Sequence, residues 1–219
     1  MITFKQVKEN EAIKTYIRQA DQTLSALGYT EHSLAHVSKV ADVARYILET
    51  LSYSEREIEL AQIAGYLHDI GNIVNRKDHA QSGAVMAFRI LDQLGASPED
   101  NANIIAAIGN HDEETAVPVS AIAAALILAD KTDVRRSRVR NQDLPSFDIH
   151  DRVNYAVEKS QIEIANNNTV FRLSLTIDTS ISPVMDYFEI FLNRMLLCKR
   201  AAAKLNLEFE LVINKQKIL

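Results

Sequence analysis

Apolar residues recur at every third or fourth position through most of the first two thirds of this sequence. The first such run ends before Gly28, and its apolar positions are Ile13, Ile17, Ala20, Leu24 and Leu27. This spacing puts the apolar side chains on one face of an α-helix, and a glycine just beyond the run is typical of a helix C-terminus. The pattern restricts this part of the chain to amphipathic helices that bury their apolar faces against one another.

The same spacing predicts further helices over residues 32–51, 55–70, 78–94, 97–108 and 119–134. We expect Gly71 to end the second of these. Asp78 and Gln81 predict a capping box at the start of the third, and Ser97 followed by proline is typical of the start of the fourth. Short connections between the segments indicate a compact helical bundle.

The pattern changes after residue 145. The stretch "QIEIANNNTVFRLSLTID" alternates apolar and polar residues around an asparagine-rich turn, which predicts a β-hairpin. A helix over residues 182–205 and a last alternating stretch, "LEFELVIN", follow it. We therefore expect a mostly α protein with two parts, a helical domain over residues 1–145 and a small α+β subdomain over residues 146–219. The second part would be an antiparallel sheet with one covering helix.

Composition excludes several classes of protein. The chain has 219 residues, 47% of them hydrophobic and 24% charged, with one cysteine and a net charge of -5. A single cysteine excludes a disulfide framework, so a metal site would have to use histidines and carboxylates. The negative charge argues against general nucleic-acid binding. No apolar run is long enough for a membrane span, and we expect a cytoplasmic protein.

One local stretch reverses this charge. The segment "KTDVRRSRVR", residues 131–140, carries five basic residues and one acidic residue. Such a segment is either a solvated helix end or a binding surface for an anionic ligand. The sequence leaves both readings open.

Polar residues occupy inward positions on several predicted helices. They share helical faces with apolar residues and are His36, His68, His79, His111 and Asp130. A lone inward histidine is usually a hydrogen-bonded core residue. When five such groups converge, a divalent cation accounts for all of them. Burying an ionised aspartate without a partner would cost roughly several kcal/mol of folding free energy. Nitrogen and oxygen donors without a thiolate suit Mn, Fe, Co, Ni, Zn or Mg.

Asp69 directly follows His68. Adjacent residues on a helix project about 100° apart, so both can face one ion only near a helix end. We expect Gly71 to create that end. Gly65 and Gly83 lie on the same faces as the histidines and would leave room for close packing.

The ordered motifs resemble those of the HD superfamily of metal-dependent phosphohydrolases. The matching stretches are "HSLAHVSKVADVA", "AGYLHDIGN", "HAQSGA", "IGNHDEE" and "LILADKTD". They cover about residues 25–140 and imply a helical bundle around a metal site. The chain lacks the glycine-tyrosine-proline extension of the cyclic-dinucleotide phosphodiesterase branch, so that branch is not expected.

The resemblance implies a set of site residues. The expected ligands of the principal divalent ion are His36, His68, Asp69 and Asp130. His79 and His111 match the histidines that hold a second ion in two-metal relatives and contact the substrate phosphate in one-metal relatives. One or two ions per chain are therefore expected. His32, one turn before His36, is the competing choice for the first ligand.

The function implied is hydrolysis of a phosphomonoester or phosphodiester by a metal-activated water. The substrate would be a nucleotide or another small phosphorylated metabolite. We expect Asp69, Lys131 and Arg135 to be catalytic, and Lys131, Arg135 and Arg136 to bind the substrate phosphate together with His79 and His111.

Three alternatives stay open. The first is an oxygenase with a paired iron site, and the second is a non-catalytic nucleotide sensor. The third is a hydrogen-bonded core without metal. The small sheet could also pair with a second copy of the chain through an edge strand, which would make a homodimer.

Overall fold

The computed structural model describes residues 1–141, 143 and 146–219. Within these residues the chain packs as two compact units, Met1–Asp130 and Lys131–Leu219. The domain boundary predicted after residue 145 stays a prediction, and Pro145 itself lies outside the described residues.

The first unit is helical. Its α-helices are α1 (Phe4–Glu9), α2 (Glu11–Ala26), α3 (Leu34–Thr50), α4 (Glu55–Leu67), α5 (His79–Gln93), α6 (Pro98–Gly109) and α7 (Ala121–Lys131), whose last residue belongs to the second unit. A short 3-10 helix, Ile70–Ile73, lies between α4 and α5. The helices predicted from apolar spacing are therefore present, and α1 is an addition that the spacing did not predict.

Serine side chains define where several helices begin. Ser33, Ser54 and Ser97 each precede a helix and accept a hydrogen bond from a main-chain N–H two or three residues later. Such caps satisfy N–H groups that the helix leaves without a partner. The predicted start at Ser97, with proline in the first helical position, is confirmed.

Two predicted helix ends were wrong. The helix α4 ends at Leu67, and Gly71 lies inside the following 3-10 helix instead of stopping α4. The capping box at Asp78 does not form, because this residue has a φ of 58° and its side chain makes no capping hydrogen bond. A left-handed backbone at the N-cap position turns the side chain away from the first N–H groups.

The helix α7 is shorter than predicted at both ends. Ser120 Oγ accepts a hydrogen bond from the Ala123 N–H, so the helix begins only after this serine. At the other end the Thr132 carbonyl accepts hydrogen bonds from the Val134 N–H and the Ser160 hydroxyl. These bonds replace the helical pattern beyond Lys131.

Glycines let four elements of the first unit approach closely. A Cβ atom at Gly65 would lie 3.0 Å from the main chain of Ala41, so α3 and α4 are in backbone contact here. A Cβ atom at Gly71 would lie 2.0 Å from the His79 carbonyl oxygen, and one at Gly83 would lie 3.2 Å from the His68 carbonyl oxygen. The 3-10 helix and α5 therefore touch where His68 and His79 enter the core.

The second unit is an α+β unit. It contains a 3-10 helix (Arg136–Arg138), α8 (Ile149–Ala156), β1 (Val157–Ala165), β2 (Val170–Ile177), α9 (Val184–Lys204), β3 (Glu208–Ile213) and β4 (Gln216–Lys217). The strands form one sheet in the order β1, β2, β3, β4. The predicted hairpin and the following helix are confirmed.

The predicted all-antiparallel sheet was wrong, because the sheet is mixed. The strands β1 and β2 pair antiparallel, and so do β3 and β4, but β2 and β3 pair in parallel, with Phe171 opposite Phe209 and Leu173 opposite Leu211. The physical reason is the helix α9. It carries the chain back along the sheet before β3 begins, as in a βαβ crossover.

The fold is therefore mostly α with a small α+β part, as predicted. Of the helices in the described residues, none is long and apolar enough to cross a membrane.

Candidate metal centre

Six predicted site residues come together in the first unit. They stand at or near the ends of its helices and are His36 on α3, His68 and Asp69 after α4, His79 at the start of α5, His111 after α6 and Asp130 near the end of α7. All six are buried, and none is more than 9% exposed. Helix ends bring side chains from separate helices to one point in the core.

The inner half of the cluster consists of two histidines and two carboxylates. His68 Nε2 lies 3.1 Å from Asp69 Oδ2 and 3.7 Å from Asp130 Oδ1. His36 Nε2 lies 3.4 Å from Asp130 Oδ1 and 3.6 Å from Asp69 Oδ2. Ligands held about 2.0 to 2.2 Å from one ion are separated from each other by about 2.8 to 3.6 Å. The four separations lie within or next to this range, so these atoms could hold one ion.

The outer half contains the other two histidines. His79 Nε2 lies 3.6 Å from Asp69 Oδ1 and 3.3 Å from His111 Nε2. Asp69 thus presents Oδ2 to His36 and His68, and Oδ1 to His79. Asp112 Oδ1 lies 4.0 Å from His79 Nε2. This half could hold a second ion, with Asp69 between the two, or could contact a substrate phosphate.

Main-chain carbonyls orient three of the imidazole rings. The Nδ1 atoms of His68, His79 and His111 donate to the carbonyls of Gly65, Arg76 and Ile108, at 2.8, 3.0 and 2.6 Å. This assignment follows from the carbonyls, which can only accept. In its neutral form, each ring then has its lone pair on Nε2, which is directed into the cluster. A histidine that binds a metal is held in this way by a hydrogen bond to its other nitrogen.

Two polar atoms at the middle of the cluster lack hydrogen bonds. Within the described residues, neither His68 Nε2 nor Asp69 Oδ2 has a hydrogen-bond partner, although both are buried. Most buried polar atoms in proteins have at least one such partner. A cation placed between them would satisfy both atoms, which is the strongest structural argument for a metal.

The pKa shifts of His68 and Asp69 also indicate that the cluster favours a positive charge. Burial lowers the pKa of the His68 imidazolium, but the carboxylates of Asp69 and Asp130 outweigh burial and raise that pKa to about 10. Burial likewise raises the pKa of Asp69, but the charge on His68 outweighs it and holds that pKa well below its usual range. Asp69 therefore stays ionised and attracts either a proton or a metal cation to the cluster.

Two residues near Asp69 were missed by the sequence analysis. Asn72 is fully buried, and its Nδ2 donates to both Oδ1 and the main-chain oxygen of Asp69, each at 3.0 Å. Arg76 Nη1 donates to Asn72 Oδ1 at 3.3 Å and lies 3.4 Å from His79 Nε2. They lie three and seven residues after Asp69, but the chain is not helical at Arg76, so this spacing does not identify them.

His32 does not join the sets of donor atoms that the structure brings together. Its Nδ1 donates to the Thr30 carbonyl at 2.7 Å, and its ring centroid lies 5.5 Å from that of His36. Two sets of donor atoms among the described residues could hold an ion. One set is His36, His68 and Asp130, and the other is His68, Asp69 and His111.

The predicted phosphate-binding cations belong to the second unit. Lys131 is buried at the end of α7. Arg135 Nε donates to Asp133 Oδ1 at 2.9 Å, and Arg136 Nε donates to the Tyr155 carbonyl at 2.6 Å. Both arginines thus have partners inside their own unit. Contact of these three residues with a substrate stays a prediction.

Comparisons with known proteins agree with the family resemblance. The family model described as HD domain matches residues 33–136, a range that contains all six residues of the cluster. An uncharacterized protein of Methanocaldococcus jannaschii is 24% identical over 183 residues, which are 73% of this chain and 70% of that protein. Ribonuclease Y of Enterococcus faecalis is 29% identical over 124 residues, 54% of this chain but 21% of that enzyme.

Among solved structures, a predicted HD superfamily hydrolase from an uncultured Thermotogales bacterium is similar. It shares 25% sequence identity with a TM-score of 0.46, over 57% of this chain and 67% of that one.

The match therefore assigns residues 33–136 of this chain to an HD domain. HD domains bind divalent metals, and the His and Asp groups of this chain could hold one. In general terms, the family match and the donor set support a metal-dependent hydrolase.

Proposed function

We propose that this protein is a metal-dependent phosphohydrolase that cleaves a phosphoester bond in a nucleotide or another small phosphorylated metabolite. The observation that carries the proposal is the inner half of the cluster. There, two carboxylates and two imidazole nitrogens converge in the core, and two of these atoms have no hydrogen bond within the described residues.

The proposed ligands of the principal ion are His36, His68, Asp69 and Asp130. A bound divalent ion supplies a water of lowered pKa and a positive charge near the phosphoryl oxygens. The chain contributes rigidity, because the ring of His68 is fixed by the Gly65 carbonyl and the carboxylate of Asp69 by the Asn72 amide. Ligands held in place in advance need little rearrangement when charge develops in the transition state.

Two features support a small phosphoester as the substrate. The family match supports a hydrolase in general, and one relative carries the name of a ribonuclease, an enzyme that acts on phosphodiesters. The net charge of -5 disfavours a long polyanion and favours a small substrate. We further propose that the protein works in the cytoplasm.

The test is a screen of the metal-reconstituted protein against nucleotides and sugar phosphates. Mn, Fe, Co, Ni, Zn and Mg would be compared, with phosphate release as the readout. Asp69→Ala should abolish turnover, whereas Asp42→Ala should not, because Asp42 is exposed on α3. Turnover that survives Asp69→Ala would refute the mechanism.

A paired iron site for oxygen activation is the second candidate. It is favoured by the outer half of the cluster, where His79 and His111 stand next to the second oxygen of Asp69. An oxygenase would purify with two equivalents of iron, would be coloured and would consume oxygen. These properties together with inactivity on every phosphoester would establish this second function. A sensor would instead bind nucleotides without turnover under any metal.

The proposed homodimer concerns the sheet of the second unit. Among the described strands, β1 and β4 are its edges, and β1 has nine residues whereas β4 has two. We propose that pairing uses β1, because a longer edge offers more unpaired main-chain groups. Light scattering after size exclusion at two concentrations tests this proposal, and a strict monomer would end it.

A further inference from the structure

Arg76 stands beside the outer half of the cluster and belongs to the same unit. It lies between the 3-10 helix and α5 and is partly exposed. Its Nη1 lies 3.4 Å from His79 Nε2 and donates to Asn72 Oδ1. Its guanidinium carbon lies 5.6 Å from the centre of the Tyr29 ring. The side chain is thus positioned from three sides.

Arg76 differs from two other arginines of the chain in its ion pairing. Within the described residues, this side chain makes no ion pair with an aspartate or a glutamate. Other arginines of the chain do so: Arg56 pairs with Asp100, and Arg135 pairs with Asp133. A contact with an imidazole nitrogen leaves the charge of the guanidinium available to an anion that arrives with a ligand.

The guanidinium also keeps donors available. Arginine has five N–H donors in a planar fork that matches the oxygens of a phosphoryl group. Within the part of the chain that the structure describes, the hydrogen bonds of Arg76 all use Nη1. The Nε and Nη2 groups can therefore bind two oxygens of one phosphoryl group.

We propose that Arg76 binds the phosphoryl group of the substrate at this site. The inference rests on the proposed function, because it takes the cluster to be the place where a phosphoester is cleaved. A phosphoryl group at the outer half would meet Arg76, since Nη1 is 3.4 Å from His79 Nε2 and that atom is 3.6 Å from Asp69 Oδ1.

Asn72 links this cation to the ligand set. Its Nδ2 donates to Asp69 Oδ1, and its Oδ1 accepts from Arg76 Nη1. The amide therefore holds the guanidinium at a fixed position relative to Asp69. Asn72 is a positioning residue in this arrangement, and Arg76 is the substrate-binding one.

The test measures the binding of inorganic phosphate to the metal-reconstituted protein by isothermal titration calorimetry. Arg76→Gln should weaken phosphate binding at least tenfold. The matched control is Lys77→Gln, which removes a positive charge from the exposed side chain of the next residue. This variant should change the affinity less than twofold. Arg76→Lys should recover only part of the affinity, because an ammonium group cannot bind two oxygens in the same planar geometry.

Metal content and steady-state kinetics complete the experiment. Arg76→Gln should retain the wild-type amount of metal and raise KM for the best substrate of the screen. The inference is overturned if wild type binds no phosphate, if both Gln variants bind it equally well, or if Arg76→Gln loses the metal, since Arg76 would then support the ligands instead.

The two proposals fail in different ways. A wild-type protein that binds phosphate through Arg76 but hydrolyses no phosphoester would refute the proposed function alone. An active protein whose Arg76→Gln variant keeps its KM and its phosphate affinity would refute only the role of Arg76.

Discussion

His79 Nε2 and His111 Nε2 lie 3.3 Å apart, and each ring donates its Nδ1 hydrogen to a carbonyl three residues earlier. Two neutral rings held in this way would direct lone pairs at each other. This contact is favourable only when a cation or a proton lies between the two nitrogens. Either a shared proton or a bound cation therefore accounts for the short distance, and the metal content of the protein distinguishes the two.

We expect the wild-type protein to bind two equivalents of Mn²⁺ or Zn²⁺ and the His111→Ala variant to bind one. His111 is part of the outer half of the cluster, so its loss should leave the ligands of the inner half in place. Inductively coupled plasma mass spectrometry after removal of loosely bound metal gives the stoichiometry. One equivalent in both proteins would instead assign His79 and His111 to the substrate.

The principal ion should also stabilise the fold. A ligand that binds only the native state at 100 times its dissociation constant adds about 2.7 kcal/mol to the free energy of unfolding. We expect EDTA to lower the Tm of wild type by several degrees and to leave the Tm of Asp69→Ala unchanged, because that variant lacks a shared ligand. Differential scanning calorimetry measures both. Asp42→Ala is the matched control and should respond as wild type does.

Gly71→Ala should prevent native folding. A Cβ atom there would lie 2.0 Å from the His79 carbonyl oxygen and 2.4 Å from the Gly83 nitrogen, and these main-chain atoms cannot move without separating the 3-10 helix from α5. Overpacking of this kind costs about 3 kcal/mol or more when backbone must shift. Urea denaturation followed by circular dichroism provides the measurement.

Gly109→Ala is the control for this substitution. A Cβ atom at Gly109 would lie 3.7 Å from the Ala84 Cβ, an ordinary contact at the end of α6. We expect its free energy of unfolding to stay within about 1 kcal/mol of wild type. If Gly71→Ala unfolds at the same urea concentration as this control, the close packing at Gly71 is not needed for the fold.

Much of the first unit was predictable because its helices are amphipathic. Apolar spacing located α3 and α5, and the inward positions of His36 and His79 follow from that spacing. The segment from Asp69 to Asp78 was harder to predict. It contains a 3-10 helix and a left-handed residue, so the roles of Asn72 and Arg76 depend on backbone geometry that no periodic pattern encodes.

The sheet of the second unit shows a different limit. Alternation identifies a strand and its buried face, and Leu173 and Leu211 are both buried as alternation requires. It does not determine strand direction. Whether β3 runs parallel to β2 depends on the route of α9 between them, which is a property of the whole unit and not of either strand.

The ion pair between Arg56 and Asp100 should make the stability of the first unit depend on pH. Arg56 Nε and Nη2 donate to the two oxygens of Asp100 at 3.0 and 2.7 Å. These hydrogen bonds, more than the accompanying charge and the Ser97 contact, hold the pKa of Asp100 below its ordinary value of 3.8. A carboxyl group whose pKa is lower in the folded state stabilises the fold while it is ionised.

The stabilisation is therefore complete above the unfolded-state pKa of Asp100 and is lost as the pH falls through the lower, folded-state pKa. We expect Asp100→Asn to lower the free energy of unfolding by about 1 kcal/mol at pH 7, a modest value because solvent screens the partly exposed Arg56. The difference from wild type should shrink below about pH 4, where the carboxyl group of the unfolded chain takes up its proton. Urea denaturation at pH 7, 5 and 3 measures this trend, with Asp92→Asn, at an exposed position on α5, as the control. A difference that stays constant from pH 7 to pH 3 would mean that the shape of the Asp100 side chain, and not its charge, stabilises this part of the fold.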